Sequence, residues 1–545
     1  MKSVLQIHPA DNVLVALRDL KAGESIPSPD GEFVLLEPCA AKHKVLFRDL
    51  AEGGIITQYG VTVGKANFPL KKGLRISTEN AHHAADPVDV TGAGKFQWKA
   101  PDVSSFKNKT FQGFARPDGR VGTRNNWLVI PLVFCENNNL LTMREVFMRE
   151  LGYNRTAPYE LYLRRMIEAF KKGESVEKVA FEPPVGEAPE KLFPNVDGVR
   201  FLVHSMGCGG IEQDSLNLSR LIASYIVHPN TAGATIISLG CQKAQISVVQ
   251  DALKAINPNH GRPLYFLEQQ KTGTEEALLK EAIQVTFRGL VEADKHRRTP
   301  APLSKLVIGV ECGGSDGFSG ISANPTVGRV SDLLVALGGS SILSEFPELV
   351  GVESELVKRS ASPEVAEKFV GLMRAYEAAA RSCGASMDCN PSPGNIRDGL
   401  ITDAIKSAGA AKKGGTSPVV DVQDYPGWID KPGLNLLNTP GNDVESTTAL
   451  AGAGANLILF TTGLGTPTGN PITPVVKISS NSRVANYMHD VIDFDTGAII
   501  EGRETPDTMG EKLLDQLIRT ASGELTKAEL LGQDDFIPWK RGVSL

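Results

Sequence analysis

The sequence has no hydrophobic run of membrane-spanning length, because its longest apolar stretches, such as residues 455–460, are only as long as a strand. Its start lacks the apolar segment and small-residue cleavage site of a secretory signal. A net charge of −6 with only short basic clusters argues against a nucleic-acid partner. We therefore expect a cytoplasmic protein that binds neither a membrane nor a nucleic acid.

Several common site motifs are missing as well. There is no G-x-G-x-x-G loop for a dinucleotide, no G-x-x-x-x-G-K-[ST] phosphate loop and no H-E-x-x-H zinc motif. The seven cysteines form no C-x-x-C pair, and in the absence of an export signal we expect reduced thiols. We interpret the basic clusters at 295–298 and 412–413 as solvated surface.

The pattern of apolar residues divides the chain. Residues 1–83 carry short apolar runs separated by Gly, Pro and Asp, which predicts a small β-rich module. Residues 84–110 show no periodicity and are interpreted as a linker. Beyond them, strand-length runs alternate with helical stretches, as in parallel sheets with crossover helices. A charged, Pro-containing stretch at 292–304 separates two predicted α/β domains, 111–300 and 301–545.

Four cysteines stand at or just beyond the carboxyl ends of predicted buried strands: Cys135, Cys208, Cys241 and Cys312. In open parallel sheets, ligands bind at that edge. Three or four converging thiolates, with His204 nearby, could hold iron as a mononuclear site or as an iron–sulfur cluster. The alternative is that each is a small buried core residue, which is common for cysteine.

Polar loops rich in Gly, Pro and Asn follow several of these strands. The first of them holds Arg116, Arg120 and Arg124, whose guanidinium groups suit a carboxylate ligand. Any single loop can equally be a turn stabilised by local hydrogen bonds, but five in one chain predict a polar cleft. The loops are 113–125, 311–328, 390–399, 438–446 and 461–474. Their other polar candidates are Ser315, Asp316, Asn324, Asn390, Asn395, Asn442 and Asp443.

In their order along the chain, these loops resemble the altronate/galactarate dehydratase family over essentially the whole sequence. The most specific stretch is ECGGSDGFSGISANP at 311–325, and the segment 432–463 is closer to the altronate branch. Other matching stretches are GFARPDGRVGTRN, HSMGCGG, SLGCQ, NPSPGN and VIDFDTG. The resemblance implies a SAF-type module before an α/β body, a divalent metal, usually iron, and dehydration of a sugar acid to a 2-keto-3-deoxy acid.

The family motifs also carry over to individual positions. The matching residues are His204, Cys208, Cys241, Cys312, Ser315, Asp316, Asn390, Asn395 and Asp443. We hypothesise that Cys208, Cys241 and Cys312, with Cys135 as a further ligand, hold Fe²⁺; Mn²⁺ or an iron–sulfur cluster are alternatives. In this hypothesis Asp316 or Asp443 is the acid or base, assisted by Ser315 and His204. One of the three arginines binds the substrate carboxylate, and Asn324, Asn390 and Asn395 bind its hydroxyls.

Some positions depart from the family pattern. Leu464 stands where the family has Arg, Ile396 where it has Lys, and Gln242 where it has Glu. The expected substrate is an aldonate such as D-altronate. The departures leave room for galactarate or another sugar acid, for a different leaving group such as sulfite, and for a silent sugar-acid-binding homologue. A homodimer is the expected assembly.

Overall fold

The computed structural model describes residues 2–153, 157–181, 190–387 and 390–545. Cys389 lies outside these ranges. Within them, no helix combines the length and apolar character needed to cross a membrane. The predicted α/β class is confirmed, because a β-rich module precedes two bodies of parallel strands and helices.

The N-terminal module (residues 2–83) consists of short strands, since turns interrupt the chain every few residues. They are β1 Val4–Leu5, β2 Val13–Ala16, β3 Ser25–Ile26, β4 Phe33–Val34, β5 Lys44–Leu46, β6 Ile55–Gln58, β7 Val61–Ala66, β8 Arg75–Ile76 and β9 Ala81–His82. The main antiparallel sheet has the order β1-β2-β5-β8. Lys42 reaches out of the module, and its Nζ lies 3.0 Å from Asp316 and 2.8 Å from Asp398 of the C-terminal body.

The next strands form a small antiparallel sheet and a parallel one. They are β10 Thr110–Ala115, β11 Val121–Gly122, β12 Asn126–Pro131, β13 Gly198–Phe201, β14 Thr231–Ser238, β15 Leu264–Glu268 and β16 Thr299–Pro302. The parallel sheet has the order β13-β12-β14-β15, and the antiparallel one β11-β10-β16. The stretch predicted as a boundary at 292–304 therefore ends in a strand. Its prolines are tolerated because β16 is an edge strand.

Helices cover the first parallel sheet. They are α1 Asn137–Glu150, α2 Ala157–Lys171, α3 Glu212–Val227, α4 Ile246–Ile256, α5 Gln269–Thr272 and α6 Glu275–Ala293. Helix α3 is buried over most of its length, including Leu218, Leu221 and Tyr225, because it packs against β14 of the first parallel sheet and against α12 of the C-terminal body. The two α/β bodies thus share a hydrophobic core.

The C-terminal body contains a parallel sheet of seven strands in the described ranges. Its strands are β17 Val307–Cys312, β18 Ser340–Leu343, β19 Val419–Asp424, β20 Gly433–Asn438, β21 Leu457–Thr462, β22 Val475–Ser479 and β23 Phe494–Asp495. Its helices are α7 Ala323–Ala336, α8 Glu353–Lys358, α9 Pro363–Ser382, α10 Pro393–Arg397, α11 Asp403–Ala410, α12 Asp443–Gly452, α13 Ser482–Tyr487, α14 Gly497–Ile500, α15 Pro506–Ala521 and α16 Lys527–Leu530.

The strand order β19-β20-β18-β17-β21-β22-β23 places the site. From β17 the chain first adds β18, β19 and β20 on one side and then crosses to add β21 on the other. Such a change of direction opens a crevice outside the carboxyl ends of the two strands that flank it. Here those strands are β17 and β21, and Cys312 is the last residue of β17.

Candidate active site

A cavity of about 540 Å³ opens at this crevice. Its wall contains the end of β17 and the loops that follow β18, β20 and β21, which contribute Cys312, Glu348, Asp443 and Leu464. We call it the switch-point cavity. The loop before α10 contributes Asn390 and Ser392, α10 contributes Asn395, and α11 contributes Lys406.

A thiol and two carboxylates meet at the base of this cavity. The Sγ of Cys312 lies 3.0 Å from Oε2 of Glu348 and 3.6 Å from Oε2 of Glu345. All three residues are buried. In the described ranges they are the one set of three His, Cys, Asp or Glu residues with ligand atoms within 4.8 Å of one another. Glu345 has a left-handed backbone, with φ of 63°, and such strain in a non-glycine residue concentrates at functional sites.

Two lysines balance the charge of this cluster. Lys413 Nζ lies 2.6 Å from Oε2 of Glu345 and 2.6 Å from the Sγ of Cys312. Lys406 Nζ lies 2.6 Å from Oε1 of Glu348. The interpretation of 412–413 as solvated surface was wrong for Lys413, which is 1% exposed. The carboxylate of Glu345 compensates the charge of this buried ammonium group.

Burial and the neighbouring charges set the protonation of the cluster. Burial raises the pKa of the Cys312 thiol, and the charges of Glu345 and Glu348 raise it further. Burial acts on Glu348 in the same direction, but the ammonium groups of Lys406 and Lys413 outweigh it and lower the pKa of Glu348. The cluster therefore holds a neutral thiol beside a carboxylate until a cation displaces the proton.

Glu311 stands behind the cluster. Its Oε2 accepts hydrogen bonds of 2.6 Å from Ser446 and 3.1 Å from Ser344. Burial and the charge of Glu345 raise the pKa of Glu311 well above its usual value. The carboxyl groups of Glu311 and Glu345 hydrogen-bond to each other, which favours the protonated form of Glu311 and the charged form of Glu345. Glu311 thus holds Glu345 in place at the cluster.

Asp443, the first residue of α12, also lines the cavity. Burial, followed by the charges of Glu345 and Glu348, raises the pKa of Asp443 to about 7. Its carboxylate packs against Gly313, where an added Cβ would lie 2.2 Å from Oδ2 of Asp443. Only a glycine at position 313 leaves room for the carboxylate of Asp443 in this position. A carboxyl with a pKa near neutrality can accept and donate a proton at physiological pH.

Lys477 lies deeper in the sheet, on β22. Its Nζ stands 3.9 Å from the centroid of the Phe460 ring and has no hydrogen-bond partner among the described residues. Burial lowers the pKa of Lys477 to about 7. The ring of Phe460 also approaches Gly313, with Cζ 2.7 Å from the position of an added Cβ. Phe460 therefore contacts both this lysine and the backbone at Gly313, and the charges of Lys477 and Asp443 favour each other.

Amides and hydroxyls line the remaining wall. Asn390 accepts a 2.8 Å hydrogen bond from Lys406. Asn395 donates a 2.8 Å hydrogen bond to the carbonyl of Ser315, and its side-chain oxygen accepts one from Ser392 at 3.0 Å. These groups suit a ligand with several hydroxyls. Ser315, Asn390, Asn395, Asp443 and Cys312, all named from sequence, thus lie around one cavity.

The predicted four-cysteine metal site is not assembled in this structure. Cys135, Cys208 and Cys241 are exposed, whereas Cys312 is buried. Cys208 lines a separate cavity of about 340 Å³ beside the C-terminal residue Leu545. The reason is topological: these three cysteines follow strands of the first parallel sheet, and Cys312 ends a strand of the second.

The three predicted carboxylate-binding arginines bind the protein instead. Arg116 donates to the carbonyl of Pro229 at 2.7 Å, and Arg120 pairs with Asp118 at 2.8 Å. Arg124 is buried and pairs with Glu529 at 2.7 Å. The loop predicted at 113–125 is largely the β10–β11 hairpin, so these arginines lie outside the switch-point cavity.

His204, Asp316 and Asn324 also bond to other parts of the protein. Both ring nitrogens of His204 are engaged, with the carbonyl of Pro131 at 2.8 Å and the amide of Met206 at 3.1 Å, and burial lowers its pKa to about 4. Asn324 Nδ2 donates to the carbonyl of Gly409 at 2.9 Å. The fully buried carboxylate of Asp316 accepts hydrogen bonds from the backbone and from serines; these come from Phe318, Ser319 and Ser480. None of the three lines the switch-point cavity.

Sequence reasoning missed Glu345, Glu348, Lys406, Lys413 and Lys477. A signal was present for some of them. SEFPEL places two acidic residues directly after the apolar run of β18, at the sheet edge where ligands bind. PVVKISS carries a lysine inside a predicted buried strand, which is rare without a reason. Lys406 and Lys413 gave no such signal, because their surroundings are small residues of a helix and a turn.

The donor set of Cys312, Glu345 and Glu348 fits a divalent metal. Thiolate sulfur favours softer ions and carboxylate oxygen harder ones, so the mixture suits an ion of intermediate character. Lys413 now makes the contacts with Cys312 and Glu345 that such an ion would replace. The cluster is thus compatible with a divalent cation.

Comparison with known proteins agrees with this architecture. Three family models match: the altronate/galactarate dehydratase SAF domain at 2–84, the D-galactarate dehydratase/altronate hydrolase second domain at 113–294, and the D-galactarate/altronate dehydratase C-terminal domain at 303–544. Altronate dehydratase of Bacillus subtilis is 33% identical and aligns over 100% of both chains. Altronate dehydratase of Escherichia coli is 32% identical over 99% of both. Galactarate dehydratase (L-threo-forming) of Escherichia coli is 30% identical over 95% of this chain and 93% of its own. The chain belongs to the altronate/galactarate dehydratase family.

Proposed function

We propose that this protein is a hydro-lyase that removes water from a sugar acid, an aldonate such as D-altronate or the related aldarate galactarate, to give the 2-keto-3-deoxy acid. The observation that carries the proposal is the switch-point cavity itself. It joins a metal-compatible cluster, a carboxyl with a pKa near neutrality and several amides and hydroxyls. Dehydration of a polyhydroxy acid needs these three kinds of group.

Lys406 binds the carboxylate of the substrate in this proposal. Its ammonium group has three N–H donors, of which Glu348 and Asn390 take two, at 2.6 and 2.8 Å. The third donor is available to a ligand in the cavity that this residue lines. Burial lowers the pKa of Lys406, but the charge of Glu348 outweighs it and keeps the group cationic.

Asp443 acts as the general base or acid. A proton next to a carboxylate is weakly acidic, so its removal at C2 needs a base held close to it in a site protected from bulk water. Asp443 is the cavity carboxyl whose pKa lies near neutrality. The missing side chain of Gly313 leaves room for this carboxyl next to the end of β17. Ser315, Ser392, Asn390 and Asn395 orient the hydroxyls, including the one that leaves from C3.

Cys312, Glu345 and Glu348 would hold the metal, for which Fe²⁺ is the first candidate and Mn²⁺ the second. When bound, such an ion supplies Lewis-acid stabilisation of the negative charge that develops on deprotonation. Lys413 sets the charge of the same donors, and Glu311 supports Glu345 from behind.

Turnover tests the proposal. The protein would be purified without oxygen, supplied with ferrous iron and offered a panel of aldonates and aldarates, including altronate and galactarate. We expect a 2-keto-3-deoxy product from at least one acid, detected by colour reaction and by mass. A matched Lys406→Met variant should lose turnover. A protein that binds iron and sugar acids but forms no product would instead be a silent binding homologue.

A further inference from the structure

A second cavity, of about 570 Å³, adjoins the switch-point cavity. Leu464 lines both. Helix α10 also contributes to both, with Asn395 facing the switch-point cavity and Asp398, its C-cap, facing the second. We call the second one the side cavity. Leu464 and α10 thus form a wall common to the two cavities.

The side cavity lies between the N-terminal module and the C-terminal body. The module contributes Ala41 and Lys42, and the body contributes Phe318, Val484 and Tyr487 to a largely apolar wall. An apolar wall with a few charged groups is typical of a site that fixes one end of a small molecule.

Two cations line the side cavity, and they differ in availability. Lys42 is already neutralised, since its Nζ lies 3.0 Å from Asp316 and 2.8 Å from Asp398. Arg483, near the start of α13, makes no hydrogen bond or ion pair with any residue of the described ranges. Its guanidinium is exposed and free to bind an anion. Guanidinium binds carboxylates in a two-pronged geometry that also selects their orientation.

We propose that the side cavity is the subsite for the far end of the sugar-acid chain and that Arg483 binds a carboxylate there, which makes the protein selective for aldarates over aldonates. This inference rests on the proposed function, and it assigns a substrate class to it. An aldonate ends in a neutral hydroxymethyl group, which gains no ion pair from Arg483. An aldarate ends in a second carboxylate, which does.

Steady-state kinetics on matched pairs of acids test the inference. The pairs are galactarate with galactonate and altrarate with altronate, which differ only at the terminal carbon. We expect the unmodified protein to favour the aldarate of the pair that it turns over. Arg483→Gln should raise the KM for that aldarate by about tenfold or more, as for loss of a charged hydrogen bond. The KM for the aldonate should change less than about twofold.

Arg220→Gln is the matched control, because Arg220 on α3 is also exposed and without a partner among the described residues but lines neither cavity. It should leave both KM values unchanged. Equal effects of Arg483→Gln on both acids, or no effect on either, would overturn the inference.

Calorimetric binding separates this inference from the proposed function. If the unmodified protein turns over no sugar acid, the proposed function fails, but binding of galactarate and galactonate can still be compared. Tighter binding of galactarate that Arg483→Gln abolishes would support the subsite. Equal binding of the two acids, or no binding of galactarate, would overturn it.

Discussion

The ammonium nitrogen of Lys413 lies 2.6 Å from the sulfur of Cys312, although the residues are 101 positions apart and both are buried. The same nitrogen lies 2.6 Å from Oε2 of Glu345. One buried cation thus touches two of the three atoms that would hold a metal. This arrangement links the stability of the fold to the chemistry of the site.

Lys413→Met should destabilise the protein. The variant keeps the length of the side chain but leaves the buried Glu345 carboxylate without its cation, which costs about 3–5 kcal/mol of unfolding free energy. Urea denaturation of the metal-free protein measures this. Lys412→Met is the control, since Lys412 is half-buried and its Nζ lies 3.9 Å from Glu355, so its loss should cost less than about 1 kcal/mol. Equal losses in the two variants would contradict the buried cluster.

Metal content should follow Cys312 and Glu348, not the exposed cysteines. Cys312→Ser and Glu348→Gln each remove a donor of the buried cluster, so we expect both to lose most of the iron that the unmodified protein binds. Elemental analysis of protein loaded without oxygen gives the answer. Cys208→Ser and Cys241→Ser are the controls and should keep their iron. Loss of iron from Cys208→Ser and Cys241→Ser, but not from Cys312→Ser and Glu348→Gln, would instead support the cysteine site predicted from the sequence.

Asp443→Asn should abolish catalysis while preserving the fold. Removal of a general acid or base lowers kcat by about 10²- to 10⁴-fold. Because the pKa of Asp443 is about 7, kcat of the unmodified protein should change as pH passes through that value, and the variant should lack this limb. A variant whose residual activity keeps the same pH profile would assign the titration to another group.

The same aspartate predicts how stability depends on pH. Its folded pKa is raised from 3.8 to about 7, so between these values the folded state holds a proton that the unfolded state has released. Its contribution to stability is therefore complete at low pH and is lost as pH rises through 7. We therefore compare the unfolding free energy of Asp443→Asn with that of the unmodified protein at each pH. The difference should favour the variant more at pH 8 than at pH 5. Urea unfolding at the two pH values checks the sign.

Gly313→Ala should lower activity through Asp443. The new methyl group would lie 2.2 Å from Oδ2 of Asp443 and 2.7 Å from Cζ of Phe460, so the carboxylate has to move. Displacement of a reacting group by about 1 Å costs roughly a hundredfold in rate. Kinetic analysis should show a fall in kcat larger than any rise in KM. Gly371→Ala, on the exposed face of α9 with nothing within 4 Å of the added Cβ, should have no effect.

Much of the fold was predictable from local patterns. The runs WLVIPLVF, ATIISLG, KLVIGVEC and ANLILF became β12, β14, β17 and β21, since uninterrupted apolar runs with alternating helices are typical of buried parallel strands. The helical stretches predicted to alternate with these runs include α7, α9 and α15. The edge strand β16 escaped prediction because its prolines hide a strand pattern. A homodimer stays a prediction.

The site was predictable only in part. Cys312, Ser315, Asn390, Asn395 and Asp443 follow strands or lie in polar loops, and loops at one sheet edge converge on one cavity. The three arginines had the chemistry to bind a carboxylate but are used by the protein's own carbonyls and carboxylates. Sequence shows which groups can bind a ligand but not which groups are already bound.

The sequence by itself therefore determined the family, the fold class and the cavity edge, since these follow from residue type and spacing along the chain. The tertiary structure alone decided which groups share a site. It brought Cys312 of β17 next to Glu345 and Glu348, which follow β18. It also placed Lys406 of α11 against Glu348, and Lys413, which follows α11, against Glu345. The order of strands in the sheet sets these contacts, and that order depends on packing between elements far apart in the chain.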